Sequence, residues 1–363
     1  MMMSMSENES PMADGVTQTG RYHAAVALLD DCSRLARLAR AAAGVSASDK
    51  PCVMALAGMR RLRKALRVGV FAGSFNPLTQ AHVALANAAR RAAGLDALVW
   101  ACAAASVDKE QVERAALVDR LAQMRAFVAG RRGEALVLLN RGLYVDEART
   151  IRALLAPSAE LTLIVGYDKI VQIFDPKYYA DRDDALRKLF SLARLLVAPR
   201  AGEGPQALAA LLAQPENRPF ARHVGYFDVP AGYAHDSSTE ARTLAAETPP
   251  DLVALSRLVP PAGLALALST GAYRPAATAD DDPYTVRARW LDALATLPPA
   301  TARMLPPLTT LAQQTLATDD RGKRLRAWLA SSHVAGKSTR REAAKAANAI
   351  DTLATLLRDQ ASC

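Results

Sequence analysis

Cysteine is scarce in this 363-residue chain, and Cys32, Cys52, Cys102 and Cys363 are scattered with no C-x-x-C pair. Neither a disulfide framework nor a zinc knuckle is expected. His23, His223, His235 and His333 lack ligand spacing, so no protein-held metal site is expected either. Long apolar runs are missing too. The longest, Ala97–Ala105, falls far short of the roughly eighteen residues a membrane span needs. Aromatics make up only 5%, which leaves burial to alanine and other small aliphatics on helices. The N-terminus lacks the basic-then-apolar order of a secretory signal, and the cytoplasm is the expected location.

Half of the chain (51%) is apolar and 22% is charged, which excludes a wholly disordered polypeptide. The length suits two domains of roughly 150 residues, or one with extensions. The excess of 45 Lys and Arg over 36 Asp and Glu gives +9, a charge that suits phosphates, nucleic acid or an anionic surface without choosing among them. The basic stretches Arg60–Lys64 and Arg321–Arg326 read as solvated helix faces, so nucleic acid is not an expected partner.

Residues 1–20 are polar and aperiodic and read as a disordered leader. Helical spacing runs from Tyr22 to Ala43, and a second helical stretch is expected after Gly44–Pro51, into Lys64. At Arg67 the pattern changes to short apolar runs separated by helical sequence: Val68–Phe71, Ala97–Ala101, Ala135–Leu139, Leu161–Val165 and Leu195–Ala198, with Tyr226–Val229 as a further candidate. Unbroken apolar strands alternating with helices predict an α/β fold, a Rossmann-like parallel sheet covered on both faces. Asp280–Pro283 reads as a linker into an Ala/Leu/Arg-rich helical tail.

In such a sheet ligands bind beyond the carboxyl ends of the strands. The loop after the first predicted strand reads Gly73-Ser74-Phe75-Asn76-Pro77-Leu78-Thr79-Gln80-Ala81-His82. Gly73 permits close backbone approach, and the following helix aims unsatisfied N–H groups and its positive end into the loop, a seat for phosphate. Thr79 and His82 are three apart and share a helix face. Thr79 reads equally as a helix cap. Neither the dinucleotide fingerprint nor a P-loop is present, since Gly336-Lys337-Ser338 has Ser331 where the required glycine would stand.

Gly73-Ser74-Phe75-Asn76-Pro77-x-Thr79-x-x-His82 resembles the signature of the nicotinamide/nicotinate mononucleotide adenylyltransferases, with Ala81 where bacterial members usually have glycine. Further matches follow in order: Lys109, Arg120–Met124, Tyr144-Val145-Asp146, Gly166-Tyr167-Asp168, and Ser237-Ser238-Thr239-Glu240-Ala241-Arg242 with Asp236 before it. The resemblance covers about 67–273. It implies a nucleotidyltransferase core at 67–273, between helical extensions at 21–66 and 274–363.

The resemblance also implies adenylyl transfer from ATP to a pyridine mononucleotide, with pyrophosphate released and Mg²⁺ held mainly through the ATP phosphates. His82, Thr79, Arg242 and Lys109 are the expected catalytic groups. Gly73, Ser74, Phe75, Ser237, Ser238 and Thr239 are the expected ATP and phosphate contacts. Asn76, Arg120, Gly166 and Asp168 are expected on the nucleotide and ribose. Bland readings stand beside these. Ser237 with Glu240 spells a capping box, Lys109 lies in a charged run, and Phe174, Tyr178 and Tyr179 either stack on a pyridine ring or fill core. A related transferase using pantetheine phosphate or CTP, or a non-catalytic nucleotide-binding regulator, remains an alternative, and a homo-oligomer remains open.

Overall fold

The computed structural model describes residues 17–316, apart from 47, 49, 105–114, 141–143, 200–202, 234–236 and 276–281. Lys109 and Asp236 lie outside the described residues, as does the expected leader up to residue 16. Seven strands form one sheet: β1 (Val53–Ala57), β2 (Arg67–Gly73), β3 (Ala97–Ala103), β4 (Glu134–Leu139), β5 (Glu160–Gly166), β6 (Arg194–Ala198) and β7 (Val224–Tyr226). Their order is β1-β4-β3-β2-β5-β6-β7, and every pairing is parallel except β1 with β4.

The helices are α1 (Gln18–Asp30), α2 (Cys32–Ser46), α3 (Gln80–Ala92), α4 (Leu117–Val128), α5 (Tyr144–Arg152), α6 (Tyr167–Phe174) and α7 (Arg182–Leu192), then α8 (Pro205–Ala213), α9 (Ser238–Ala246), α10 (Leu252–Leu258), α11 (Pro261–Ser269), α12 (Pro283–Thr296), α13 (Pro299–Met304) and α14 (Leu308–Leu316). No helix among the described residues is long and apolar enough to cross a membrane.

Because alternate residues of a strand face opposite ways, the apolar runs feed two cores. Leu98, Trp100 and Cys102 of β3 pack into one face with α3, α4 and α11, while Ala97, Val99 and Ala101 enter the other with α5, α6 and α7. Both faces are covered, as unbroken apolar strands require.

Two expectations about the N-terminal extension give way. The single helix over 22–43 is two helices, because Asp31 leaves helical geometry (ψ 99°) and its carboxylate accepts from the Arg34 N–H at 3.0 Å. Aspartate favours that capping role over a helix interior. The second helical stretch is strand β1 followed by a single 3₁₀ turn, Met59–Leu62. Val53 pairs with Leu139, so β1 covers peptide groups that β4 would otherwise leave unpaired at the sheet edge. The sheet is therefore mixed, with one antiparallel edge.

The two chain flanks form one helical layer. α1 packs on α4 and α11, and α2 packs on α4, α12 and α13. Arg40 Nη1 donates to the Leu297 carbonyl at 2.8 Å, and the Thr309 N–H donates to Asp30 at 2.7 Å. At the centre Arg287 and Asp119, both buried, form a bidentate pair at 2.6 and 3.0 Å.

α11 lies close against the loop that follows β2. A Cβ on Gly263 would stand 2.6 Å from the Leu78 carbonyl oxygen and 3.0 Å from the Val259 Cβ. Gly263→Ala is accordingly expected to lower stability by about 1–3 kcal/mol in urea unfolding, the range for overpacking a tight contact. An unchanged midpoint would show that this approach is not limiting.

Candidate active site

The chain winds from β2 through α3 and α4 out to β4, then crosses back through α5 to β5 on the other side of β2. β2 and β5 are thus the switch point, where the crevice beyond the strand ends receives ligands in folds of this kind. Residues 74–79 leave β2 at this crevice, and Gly166-Tyr167-Asp168 leave β5 beside it.

Residues 74–79 turn too sharply to pair with a strand, and Phe75 has a left-handed backbone (φ 45°), unusual for a non-glycine residue. Their polar backbone groups are taken up by side chains instead. Arg120 Nη1 donates to the Ser74 carbonyl at 2.9 Å, and Gln123 Nε2 donates to the Phe75 carbonyl at 2.9 Å. Gln123 Oε1 accepts from the Leu78 N–H at 3.0 Å. From the other side Arg242 Nη1 donates to the Asn76 carbonyl and Ser238 Oγ to the Pro77 carbonyl, each at 2.9 Å. Asn76 is itself buried, its Oδ1 accepting from the Tyr273 hydroxyl at 2.7 Å. The Phe75 ring fills the space over Gly73, where a Cβ would come within 3.0 Å of it, and meets Phe71, Trp100 and His82.

Thr79 is the N-cap of α3 and is wholly buried. Its backbone N–H donates to His82 Nδ1 at 3.1 Å, and its hydroxyl lies 2.7 Å from the same atom. A backbone amide can only donate, so Nδ1 is an acceptor and the neutral ring carries its proton on Nε2. The imidazole is further fixed edge-on against Phe75, at 5.4 Å between centroids. The result is a histidine of defined tautomer at the positive end of a helix.

Ser237 caps α9, accepting from the Glu240 N–H at 3.0 Å, which is the capping half of its two readings. Capping leaves Arg242 unexplained. It is half-buried, and besides Asn76 its Nη2 donates to Thr239 Oγ1 at 3.1 Å. The two phosphate-type motifs, 161 residues apart between Pro77 and Ser238, are thereby joined at one loop.

Other expected residues fall differently. Arg120 is buried and spends its hydrogen bonds on the carbonyls of Ser74 and Ala115, so it stands beneath the loop and shapes it. Burial lowers its guanidinium pKa from the ordinary arginine value. Ser74 and Asp168 are exposed, Asp168 in the first turn of α6 after Gly166. Phe174 is core, packed with Phe190 and Phe220, so its core reading holds, while Tyr179 is half-buried and its hydroxyl donates to the Ile173 carbonyl. Gln123 and Tyr273, which hold the loop, fall within the stretch of the resemblance but received no role from it; Gln123 lies inside the Arg120–Met124 match, one helical turn after Arg120. Burial pushes the Cys32 and Cys102 thiols up to about 12, far from nucleophilic form.

Comparison with known proteins bears on this crevice. A family model described as cytidylyltransferase-like matches residues 70–244, which run from β2 to α9. Over 153 residues, 40% of this chain and 70% of the relative, the sequence is 32% identical to the "Probable nicotinate-nucleotide adenylyltransferase" of Gloeobacter violaceus. The chain belongs to the nicotinate-nucleotide adenylyltransferase family. A Laribacter hongkongensis protein of the same name is 36% identical over 152 residues, 39% of this chain and 66% of that one. Among solved structures, a Plasmodium falciparum nicotinic acid mononucleotide adenylyltransferase complexed with NaAD is similar with a TM-score of 0.43 and 14% identity, over 57% of this chain and 97% of that chain.

Among the described residues of this adenylyltransferase-family chain no three His, Cys, Asp or Glu side chains cluster as a metal site. The described groups gathered at the loop are hydroxyls, an imidazole and guanidinium groups, a set that suits anions.

One carboxyl near the crevice is unusual. Glu147 of α5 is buried, and its Oε2 has no hydrogen-bond partner among the described residues. Burial, reinforced by Asp146 and opposed by Lys169, pushes its carboxyl up to about 8. The folded chain therefore holds this proton more tightly than the unfolded one. The associated stability is complete below the ordinary carboxylate pKa and is lost as pH climbs through about 8. Glu147→Gln, which cannot ionise, should melt near the wild-type temperature at pH 5 and clearly above it at pH 8.5. Melting curves at the two pH values check this, and an equal difference at both would refute it.

Proposed function

We propose that this chain transfers the adenylyl group of ATP to nicotinate mononucleotide, giving the dinucleotide and pyrophosphate. The observation that carries the reading is the bond from Arg242 to the Asn76 carbonyl, which sets the second motif against the loop that bears Thr79 and His82 at the switch point. The names of the sequence relatives supply the adenylyl donor and the nicotinate acceptor.

The acceptor's phosphate is already an anion at neutral pH, so no protein nucleophile or general base is required. The task is to bring two mutually repelling polyanions into line and to stabilise charge on the α-phosphate and the departing pyrophosphate. His82, with its proton on Nε2, donates to a phosphoryl oxygen in this reading. The N–H groups at the start of α3 add neutral donors, and Arg242 with the start of α9 offers cationic and dipolar binding for the β- and γ-phosphates. Asp168, exposed after β5, is suited to ribose hydroxyls. Magnesium enters as part of the ATP substrate, carried on its phosphate oxygens. Lys109 remains a candidate phosphate contact.

Pyrophosphate release should be seen from ATP with nicotinate mononucleotide, at a higher kcat/KM than with nicotinamide mononucleotide, and not with phosphopantetheine or with CTP as donor. No release with any acceptor would leave a nucleotide-binding module instead. His82→Ala is expected to keep the fold and to lower kcat about 10²–10³-fold, the size of losing one positioned donor. Near-full turnover in that variant would remove His82 from the chemistry. Arg242→Ala should raise KM for ATP more than for the mononucleotide, and equal effects would count against a triphosphate role.

A further inference from the structure

The helical layer made by the two flanks packs on α11 and on α4, and α4 ties it to the active-site loop by hydrogen bonds. On α4, Arg120 and Gln123 point to the loop and hold the Ser74 and Phe75 carbonyls and the Leu78 N–H. Asp119, one residue earlier, points the other way and is wholly buried. Its Oδ1 accepts from Arg287 Nη2 at 2.6 Å, and its Oδ2 accepts from Arg287 Nε at 3.0 Å and from the Tyr284 hydroxyl at 2.9 Å. Both partners lie on α12, in the C-terminal flank. Arg287 Nη2 also donates to the Leu29 carbonyl of α1 at 2.6 Å, so the N-terminal flank shares the same joint.

Tyr284 does more than pair with Asp119. Its oxygen accepts from the Ala116 N–H at 2.7 Å, and Ala116 is the N-cap residue of α4, with no side-chain cap of its own. The adjacent Ala115 carbonyl accepts from Arg120 Nε at 3.1 Å. The start of α4 is thus fixed on one side by the flank and on the other by the arginine that holds the loop. A buried carboxylate without its cation is strongly unfavourable. Removing either α12 group leaves Asp119 or Ala116 to find a partner by moving α4, and the loop is hung from α4.

We propose that Tyr284 and Arg287 are positioning residues for the nucleotidyl-transfer site, acting through Asp119 and α4 on residues 74–79. The kinetic part rests on the adenylyl-transfer reading above; the mechanical part does not.

The test uses the full chain with Tyr284→Phe, a near-isosteric change that removes only the bridging hydroxyl, and Arg287→Lys, which keeps the charge but not the bidentate fork. Arg40→Gln is the control, because it cuts a flank-to-flank bond that bypasses Asp119. Amide hydrogen exchange of a peptide spanning residues 71–82 is measured alongside kcat and both KM values. Tyr284→Phe and Arg287→Lys should each speed exchange in that peptide about tenfold and lower kcat about tenfold, with KM for each substrate within twofold, the signature of small misplacement rather than lost binding. Arg40→Gln should leave exchange and kcat at wild-type values. The proposal is overturned if both α12 variants lower the melting temperature alone, with loop exchange and kcat unchanged, or if Arg40→Gln loosens the loop as much as they do. If the wild-type chain releases no pyrophosphate, the adenylyl-transfer reading fails, and the exchange measurement still decides whether α12 braces the loop.

Discussion

The structure turns on the carbonyls of four consecutive residues, Ser74 to Pro77, and on the side chains that hold them. A loop that reverses this sharply at the end of a buried strand cannot give its peptide groups to the sheet, and buried peptide groups must be paired. Arg120 and Gln123 take two carbonyls from the α4 side, and Arg242 and Ser238 take two from the α9 side. The left-handed backbone at Phe75 is held by this over-determination: its carbonyl is bonded and its ring is wedged between Phe71, Trp100 and His82. Every other property of the site, including the reach of His82 and the approach of α9, inherits its geometry from that loop.

The same arrangement settles the electrostatics. Two arginines grip the loop, but they differ in what they cost and in what they can do. Arg120 is buried and desolvated, so its charge serves the fold. Arg242 is half-exposed at the crevice, and its tie to Asn76 aims it without removing it from solvent. A phosphate-binding site needs fixed positive potential. The hydroxyl, imidazole and guanidinium groups around the loop meet that requirement, and the chain's +9 is partly accounted for by such groups.

Much of this was legible in the sequence because it is local. Strands β2 to β6 are continuous apolar runs, and the loop from Gly73 to His82 spells its own turn, cap and helix. What was not legible is long-range. Nothing near Val53 signals that an open edge of β4 awaits it, so a stretch with helical residues became β1. Tyr273 reaches Asn76 across 197 residues, and Gln123 reaches Phe75 across 48. Neither contact leaves a periodicity to read. Arg120 was found by its motif but placed on the substrate, because a motif records that a residue is needed and not whether it faces ligand or backbone. Glu147 follows Asp146 directly in sequence, and burial separates the two, since Asp146 pairs with Arg149 while Glu147 is enclosed.

The flanks were the part of the chain with least to say in sequence, being alanine-rich and without motif. Small side chains let helices approach closely, but they bring little directional information, and a stack of such helices has many packings of similar energy. Arg287 breaks that degeneracy. Its bidentate pair with Asp119 is directional, and the same guanidinium binds the Leu29 carbonyl, so one side chain joins α12, α4 and α1. A buried ion pair contributes little net stability compared with a well-packed apolar substitute. Its value here is in uniqueness, and uniqueness is what a loop hung from α4 requires. With α4 free to slide among near-equivalent packings, the Ser74 and Phe75 carbonyls would follow Arg120 and Gln123, and the phosphate seat would lose its shape while the fold survived.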